Sequence, residues 1–224
     1  MLENINSTLS IVLLGSFAPA MFSPHWFLKN SIINQEDFDF ITNSKDVFVS
    51  PAFTMFQTDS FKIRVEQERF TLEGKQTPFT VLVEIFKKIF LGLNTLDVKS
   101  YGFNFSSSLR FGKDDFVEFG RALCPRKYFK SFFNNSLDTS DPRNGLLSLS
   151  LCSVYGNFLY NFIVASNRQI KNTIDFKSNF HHENKEGFLI DAVVDDLEMN
   201  WKQLLSMHKE TVSELVNKDA NNGK

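Results

Sequence analysis

Residues 146–182 constrain the fold of this chain most, because apolar and polar residues alternate there over three successive segments. A period of two is typical of strands that bury one face and expose the other. Residues 155–157 and 167–169 lie between the segments and contain residue types that form short turns. The region therefore predicts three consecutive antiparallel strands joined by hairpins.

Two amphipathic helices are predicted from apolar residues spaced three and four positions apart. The first begins at Thr77 and Pro78, a capping hydroxyl followed by a proline in the first helical position, and ends near Leu93. The second begins at Asp195, which with Glu198 resembles a capping box, and extends to about residue 216. Both apolar stripes indicate helices that pack against a core.

The predicted elements follow the same order in two successive parts of the chain, residues 9–93 and 98–216. Each part contains a strand, a helix, three strands and an amphipathic helix. We therefore predict an α+β fold in which two β-α-β-β-β-α halves form one antiparallel sheet of about eight strands, with the two long helices packed on one face. This layout resembles the duplicated saddle folds of the TATA-binding-protein kind and helix-grip sheets, a resemblance of fold that implies no function.

Length and charge limit the classes of function. The 224 residues suffice for a substantial core, and we expect residues 1–217 to form a single domain followed by a disordered tail at residues 218–224. A net charge of −2 gives no broad positive field that would attract nucleic acid or an anionic membrane. No apolar run approaches the roughly 20 residues of a membrane span, so we expect no membrane association.

The first strand and the cysteines bear on the cellular location. Residues 9–20 resemble the apolar part and cleavage site of a secretory signal, but no Lys or Arg precedes them, which favours a buried strand. Cys124 and Cys152 are too few for a disulfide framework or a metal knuckle. We therefore expect a cytoplasmic protein with reduced thiols, and we expect Cys152 to be buried within its predicted strand.

Candidate metal ligands occur near the end of the last predicted strand. His181, His182 and Glu183 are suitable ligand types, but neighbouring residues on a strand point to opposite faces and would not converge on one ion. We therefore predict no metal site and no cofactor. The acidic residues that follow are interpreted as helix caps, because acids stabilise helix N-termini. They are Asp191, Asp195, Asp196 and Glu198.

The first functional hypothesis is a non-catalytic binding or assembly module that acts through a protein partner or through self-association. A large sheet with helices on one face leaves its other face free for contact with another chain. The polar residues predicted to line that face are Ser148, Ser150, Asn161, Thr173, Asp175 and Lys177.

An alternative hypothesis is a small-ligand-binding protein or a hydrolytic enzyme with a pocket between the sheet and the helices. His208, Asp191 and Asp195 would be its acid–base residues, and at least two of these groups would have to converge in a concave pocket. The common nucleotide-binding and hydrolase motifs are absent from the sequence.

A second alternative is nucleic-acid binding through residues 121–130, where basic and aromatic residues interleave. Basic groups bind phosphates, and aromatic rings stack on exposed bases. The opposing interpretation is that basic residues simply complement a helix end, while the rings enter the core. The basic residues are Arg121, Arg126, Lys127 and Lys130.

Overall fold

The computed structural model describes residues 2–75, 78–91, 93, 96–123 and 147–221, which form a mixed α+β structure around one antiparallel sheet. The strands are β1 (Glu3–Gly15), β2 (Phe48–Val49), β3 (Phe53–Gln57), β4 (Phe61–Glu66), β5 (Arg69–Lys75), β6 (Asp97–Arg110), β7 (Ser148–Tyr155), β8 (Phe158–Ser166) and β9 (Thr173–Leu189). The α-helices are α1 (Pro24–Lys29), α2 (Gln35–Asn43), α3 (Thr80–Phe90), α4 (Lys113–Leu123) and α5 (Ile190–Asn221), and a 3-10 helix spans Pro19–Phe22.

The nine strands lie in the order β2-β3-β4-β5-β1-β6-β9-β8-β7, and every neighbouring pair is antiparallel. The single large antiparallel sheet is therefore confirmed, with one strand more than the sequence predicts. The additional strand is β2, which is only two residues long and lies at the edge beyond β3. Strands β1 and β6 meet in the middle of the sheet and join its two sides.

Alternation of side chains gives the sheet two different faces. We call the face that carries Ile11, Phe103 and Phe180 the inner face, and these paired positions are fully buried. The opposite, outer face carries Ser10 and Asn104, which pair with each other. Directly paired residues in an antiparallel sheet point to the same side, so the register extends this assignment across all the strands.

The helices pack on the inner face, where aromatic rings join them to the strands. Ring pairs connect α1 to β3, α3 to β5, and α4 to β9. Helix α5 lies against β9 and β6 and also contacts α3 and α4. These helices supply the apolar cover that an apolar sheet face requires. Within the described part of the chain, no helix is both long enough and apolar enough to cross a bilayer.

Helix α5 begins earlier than the sequence predicts. Ile190 and Val193 are fully buried and belong to the stripe that continues with Leu197, so burial extends the helix by more than a turn before Asp195. Asp191 is the acidic residue in the first turn of α5, whereas Asp195 and Glu198 lie further along the helix. The interpretation of Asp195 and Glu198 as a capping box at the start of the helix is therefore wrong. The helix continues to Asn221, into the segment that the sequence assigns to a tail.

The first predicted amphipathic helix corresponds to α3, which is much shorter than α5. Its buried residues Leu82, Phe86, Ile89 and Phe90 have the predicted spacing of three and four. The predicted capping residue Thr77 lies outside the described residues.

Candidate functional site

The six residues predicted to form a partner surface occupy positions on the outer face of β7, β8 and β9. Ser148 is paired through Ala165 to Asp175, and Ser150 is paired through Ile163 to Lys177. Asn161 pairs with Asn179 in the next row.

These six side chains differ in what they can offer a partner. Ser148, Ser150 and Lys177 are exposed, and Asn161 is half-buried. Thr173 is fully buried and donates its hydroxyl hydrogen bond to the carbonyl of Lys171, so it does not belong to the accessible surface.

The carboxylate of Asp175 already has partners within the fold. It accepts hydrogen bonds from Ser108 at 2.7 Å and from the side chain of Asn167 at 3.1 Å. Asp175 therefore fixes the turn between β8 and β9, and the accessible part of the predicted surface lies towards β7.

Strand β7 is the outermost strand on this side of the sheet and is exposed along most of its length. Leu151 and Val154 are 53% and 74% exposed. Cys152 is also exposed, so the expectation that it is buried is wrong. The reason is its position at the sheet edge, where no strand of the described chain covers it from the far side.

A cavity of about 490 Å³ opens at the inner side of the central strands, near the start of β1 and the end of β6. Residues of β1, β6 and α5 form its walls, together with Phe79 at the start of α3. The cavity thus lies between the sheet and the helices, which is where the sequence placed the pocket of the ligand-binding alternative. His208 is one of its lining residues.

The imidazole of His208 is almost completely buried, yet both its nitrogens have hydroxyl partners. Nε2 lies 2.9 Å from Ser107 Oγ, and Nδ1 lies 2.8 Å from Ser178 Oγ. Burial, with a smaller contribution from the charge of the nearby Lys209, lowers the pKa of His208 to about 4. The ring is therefore neutral at pH 7, with one nitrogen donating and the other accepting.

The acid–base partners predicted for His208 lie elsewhere. Asp191 and Asp195 are exposed in the first turns of α5, whereas the hydrogen-bond partners of His208 are the two serines. The structure thus brings one of the three predicted groups to the cavity. Ser107 also lines the cavity, and the buried Ser178 holds the other nitrogen of His208; the sequence analysis singled out neither serine.

A second polar cluster links β6, β9 and α5. The hydroxyl of Tyr101 lies 2.7 Å from His182 Nδ1 and donates a 2.8 Å hydrogen bond to Asp196. A carboxylate only accepts, so Tyr101 donates to Asp196 and His182 donates from Nδ1 to Tyr101. Asn200 donates a further hydrogen bond to Asp196 at 2.8 Å.

Burial shifts the pKa values of Tyr101 and His182 in this second cluster. Burial raises the pKa of Tyr101, and the hydrogen bond to Asp196 raises it further. Burial lowers the pKa of His182, although the charge of Asp196 acts in the opposite direction. The phenol therefore remains protonated and serves as a fixed connection between a strand pair and the helix.

The adjacent histidines point to opposite sides of the sheet. His181 lies on the outer face, 3.5 Å from the carboxylate of Glu183, whereas His182 lies on the inner face beside Tyr101. Among the described residues, no group of three His, Cys, Asp or Glu side chains is arranged to hold a metal ion.

Of the four basic residues predicted to bind nucleic acid, Arg121 is the one within the described residues. Arg121 is exposed in the last turn of α4, while Arg126, Lys127 and Lys130 lie outside the described residues. That hypothesis stays a prediction from the sequence.

Comparison with known family models and curated proteins identified no relative of this chain. No family model matches the chain, and none of the curated proteins matches it. The functional argument therefore depends on the geometry alone. Alternation along β6 places Tyr101 and Ser107 on the inner face, but their partners on β9 and α5 follow only from long-range register, for which one sequence contains no signal.

Proposed function

We propose that this protein is a non-catalytic binding or assembly module, and that its partner is a second copy of the chain paired along the edge of β7. The observation that carries the proposal is an eight-residue edge strand without a single charged residue or proline. Each edge strand presents unpaired backbone N–H and C=O groups, which another strand can satisfy.

Natural sheet edges usually contain features that prevent pairing, such as lysines, prolines, bulges or very short strands. Strand β7 has none of these, and its register with β8 is regular over all eight residue pairs. The opposite edge of the sheet is formed by β2, whose two residues are too few for extended pairing. The two edges of the sheet therefore differ in their capacity to accept a further strand.

The side chains of β7 favour association with an identical strand. Leu151 on the inner side and Val154 on the outer side are both exposed, and Val154 pairs with the exposed Leu159 of β8. Two uncharged strands related by a two-fold axis bring no like charges together. Such pairing would continue the sheet across both copies and would bury part of this apolar surface.

The predicted outer-face residues fit the same arrangement. Ser148 and Ser150 belong to β7 itself, and Asn161 lies on the adjacent strand. In a pair of molecules joined along β7, these side chains would flank the junction, with Lys177 one strand further away. We also infer a cytoplasmic setting, in which the exposed thiol of Cys152 remains reduced.

The strand order supports the further inference that the fold consists of two β-α-β-β-β-α halves. One side of the sheet follows the order β3-β4-β5-β1, and the other follows β7-β8-β9-β6. In each half the first strand, β1 or β6, lies at the centre of the sheet. The next three strands of the series lie in chain order from the edge towards that central strand. Helices α3 and α5 follow the third of those strands in the two halves.

The test of the proposed function is the concentration dependence of molecular mass, measured by light scattering. We expect a dimer that dissociates on dilution. Leu151→Lys and Val154→Lys should each weaken self-association by at least about tenfold, because each brings two like charges into the paired edge. Met199→Lys is the matched control, since Met199 is 72% exposed on α5 and should leave the mass unchanged.

Cys152 provides a positional test of the same proposal. A short bis-maleimide should link two copies through this exposed thiol, and Cys152→Ser should abolish the link. A wild-type protein that remains monomeric at every concentration, or edge variants that associate as the wild type does, would contradict the proposal.

A further inference from the structure

The cavity beside His208 has a lining with an unbalanced charge. Its walls contain one lysine, Lys209, and no Asp or Glu. The remaining polar side chains on the inner side of the lining are amide, hydroxyl and imidazole groups, including Asn4, Ser7 and His208. A cavity with hydrogen-bond donors, a cation and no carboxylate favours a ligand that bears a negative charge.

Lys209 has no counter-charge within the part of the chain that the structure describes. The ion pairs found there join other residues, and Lys209 is exposed at the cavity entrance. The neighbouring Glu210 instead accepts a hydrogen bond from Ser206 one turn before it on α5. The ammonium group of Lys209 is therefore available to an incoming anion.

The interior of the cavity is apolar where it meets the core. Phe79, Phe105 and Leu205 line it, and the two rings belong to the buried cluster between the sheet and the helices. A volume of about 490 Å³ exceeds what an inorganic ion fills and lies within the range of pockets for small organic molecules. An occupant that satisfies both surfaces needs an apolar body as well as an anionic end.

We propose that this cavity binds a small organic monoanion, namely a carboxylate attached to an aromatic or aliphatic body. Lys209 pairs with the carboxylate, and the body lies against Phe105 and Leu205. The site is separate from the edge of β7, so this proposal is independent of self-association.

The experiment uses benzoate as the probe and measures its dissociation constant by calorimetry on the full chain. Benzamide has the same shape without the charge, acetate has the charge without the ring, and benzylamine carries the opposite charge. We expect benzoate to bind at about millimolar concentration, with benzamide and acetate at least about tenfold weaker and benzylamine not binding.

Variants at two exposed lysines of α5 test whether the charge that binds benzoate is that of Lys209. Lys209→Gln should weaken benzoate binding about tenfold and remove its dependence on salt concentration, because the paired charge is lost. Lys202→Gln is the matched control, since Lys202 is also exposed on α5 but does not line the cavity. Both variants change surface positions and should fold normally.

The ring protons of His208 report directly on the site by NMR. Benzoate should shift the His208 resonances and leave those of His25, on α1, unchanged. Failure of benzoate to bind at tens of millimolar, equal affinities for benzoate and benzamide, or unchanged binding in Lys209→Gln would each overturn the proposal. Self-association is measured separately with the β7 variants, so failure of one proposal is distinguishable from failure of the other.

Discussion

His208 lies on the apolar stripe of α5 as its position in the sequence predicts, but its environment is not apolar alone. Only 1% of the residue is exposed, and two serine hydroxyls satisfy its ring nitrogens. The burial of this residue follows from helical periodicity, whereas its partners lie on β6 and β9 and depend on how the strands pair. For single residues, the sequence therefore predicts burial better than it predicts hydrogen-bond partners.

The low pKa of His208 makes the stability of the fold dependent on pH. The folded protein binds a proton there only near pH 4, whereas an unfolded histidine does so near pH 6.5. The unfolded state therefore binds more protons between these values, and the free energy of unfolding should fall by about 3 kcal/mol as pH falls from 7 through 4. Urea denaturation at several pH values measures this change.

Carboxylates titrate in the same range, so the contribution of His208 is obtained by comparison. His208→Gln should show a shallower loss of stability below pH 6.5 than the wild type, whereas the exposed His25→Gln should retain the wild-type dependence. Parallel curves for the wild type and His208→Gln would contradict the assignment.

The hydroxyl of Tyr101 should contribute measurably to stability. Tyr101→Phe removes the group that joins His182 to Asp196 and leaves both partly buried partners with one hydrogen bond fewer. We expect a loss of about 1–3 kcal/mol in the free energy of unfolding, measured by chemical denaturation.

A matched change in β7 serves as the control for Tyr101→Phe. Tyr155 accepts a 2.6 Å hydrogen bond from Gln203, but that pair is exposed and water can replace it. Tyr155→Phe should therefore cost less than about 1 kcal/mol. Equal effects of the two substitutions would show that burial does not strengthen the Tyr101 cluster.

Individual elements follow the sequence where one signal dominates. The period of two and the turn residues predict β7 and β8, and the two-residue connection Gly156-Asn157 matches a hairpin turn. Strand β9 is harder to predict because it continues through a charged segment to Leu189. Its register against β6 shifts between Val98 and Ser100, and such an irregularity has no local sequence signature.

Two glycines with positive φ should respond differently to substitution. Gly156 has a φ of 57° and open space around its Cα, so Gly156→Ala should destabilise the protein by about 1–2 kcal/mol through backbone strain alone. Gly187 has a φ of 78°, and an added Cβ would lie 2.6 Å from the side chain of Asp97, so Gly187→Ala should cost more.

Thermal unfolding of the two alanine variants measures which of them destabilises the protein more. Gly156→Asn is the control, because asparagine tolerates the left-handed region and should cost less than alanine. An alanine at position 187 that is tolerated better than one at position 156 would argue against the close approach of Asp97.

Across the whole molecule, the sheet separates a side covered by the described helices from an outer face that carries polar and charged side chains together with exposed apolar ones such as Val154 and Leu159. Alternation in the sequence predicts the antiparallel sheet, and helical periodicity predicts its cover. The pairing of β1 with β6 does not follow from these local patterns, because it joins segments about a hundred residues apart. Such pairing depends on chain-wide topology, which local patterns do not encode.

Hydrogen exchange tests the organisation of the sheet and its proposed contact together. Amides of the central strands β1 and β6 should exchange most slowly, because they are paired on both sides. Outward-facing amides of β7 should gain protection as protein concentration rises, and Val154→Lys should prevent that gain. The amides of β2 provide the reference, and equal concentration dependence at both edges would contradict a contact specific to β7.

The unequal lengths of the two sheet edges determine how far such an association can proceed. In the proposed dimer, the sheet edges left within the described residues would be the two-residue strands β2, which offer very few backbone groups to a further strand. Association of this kind would therefore end at a dimer, whereas a sheet with two long unpaired edges could polymerise into a fibre.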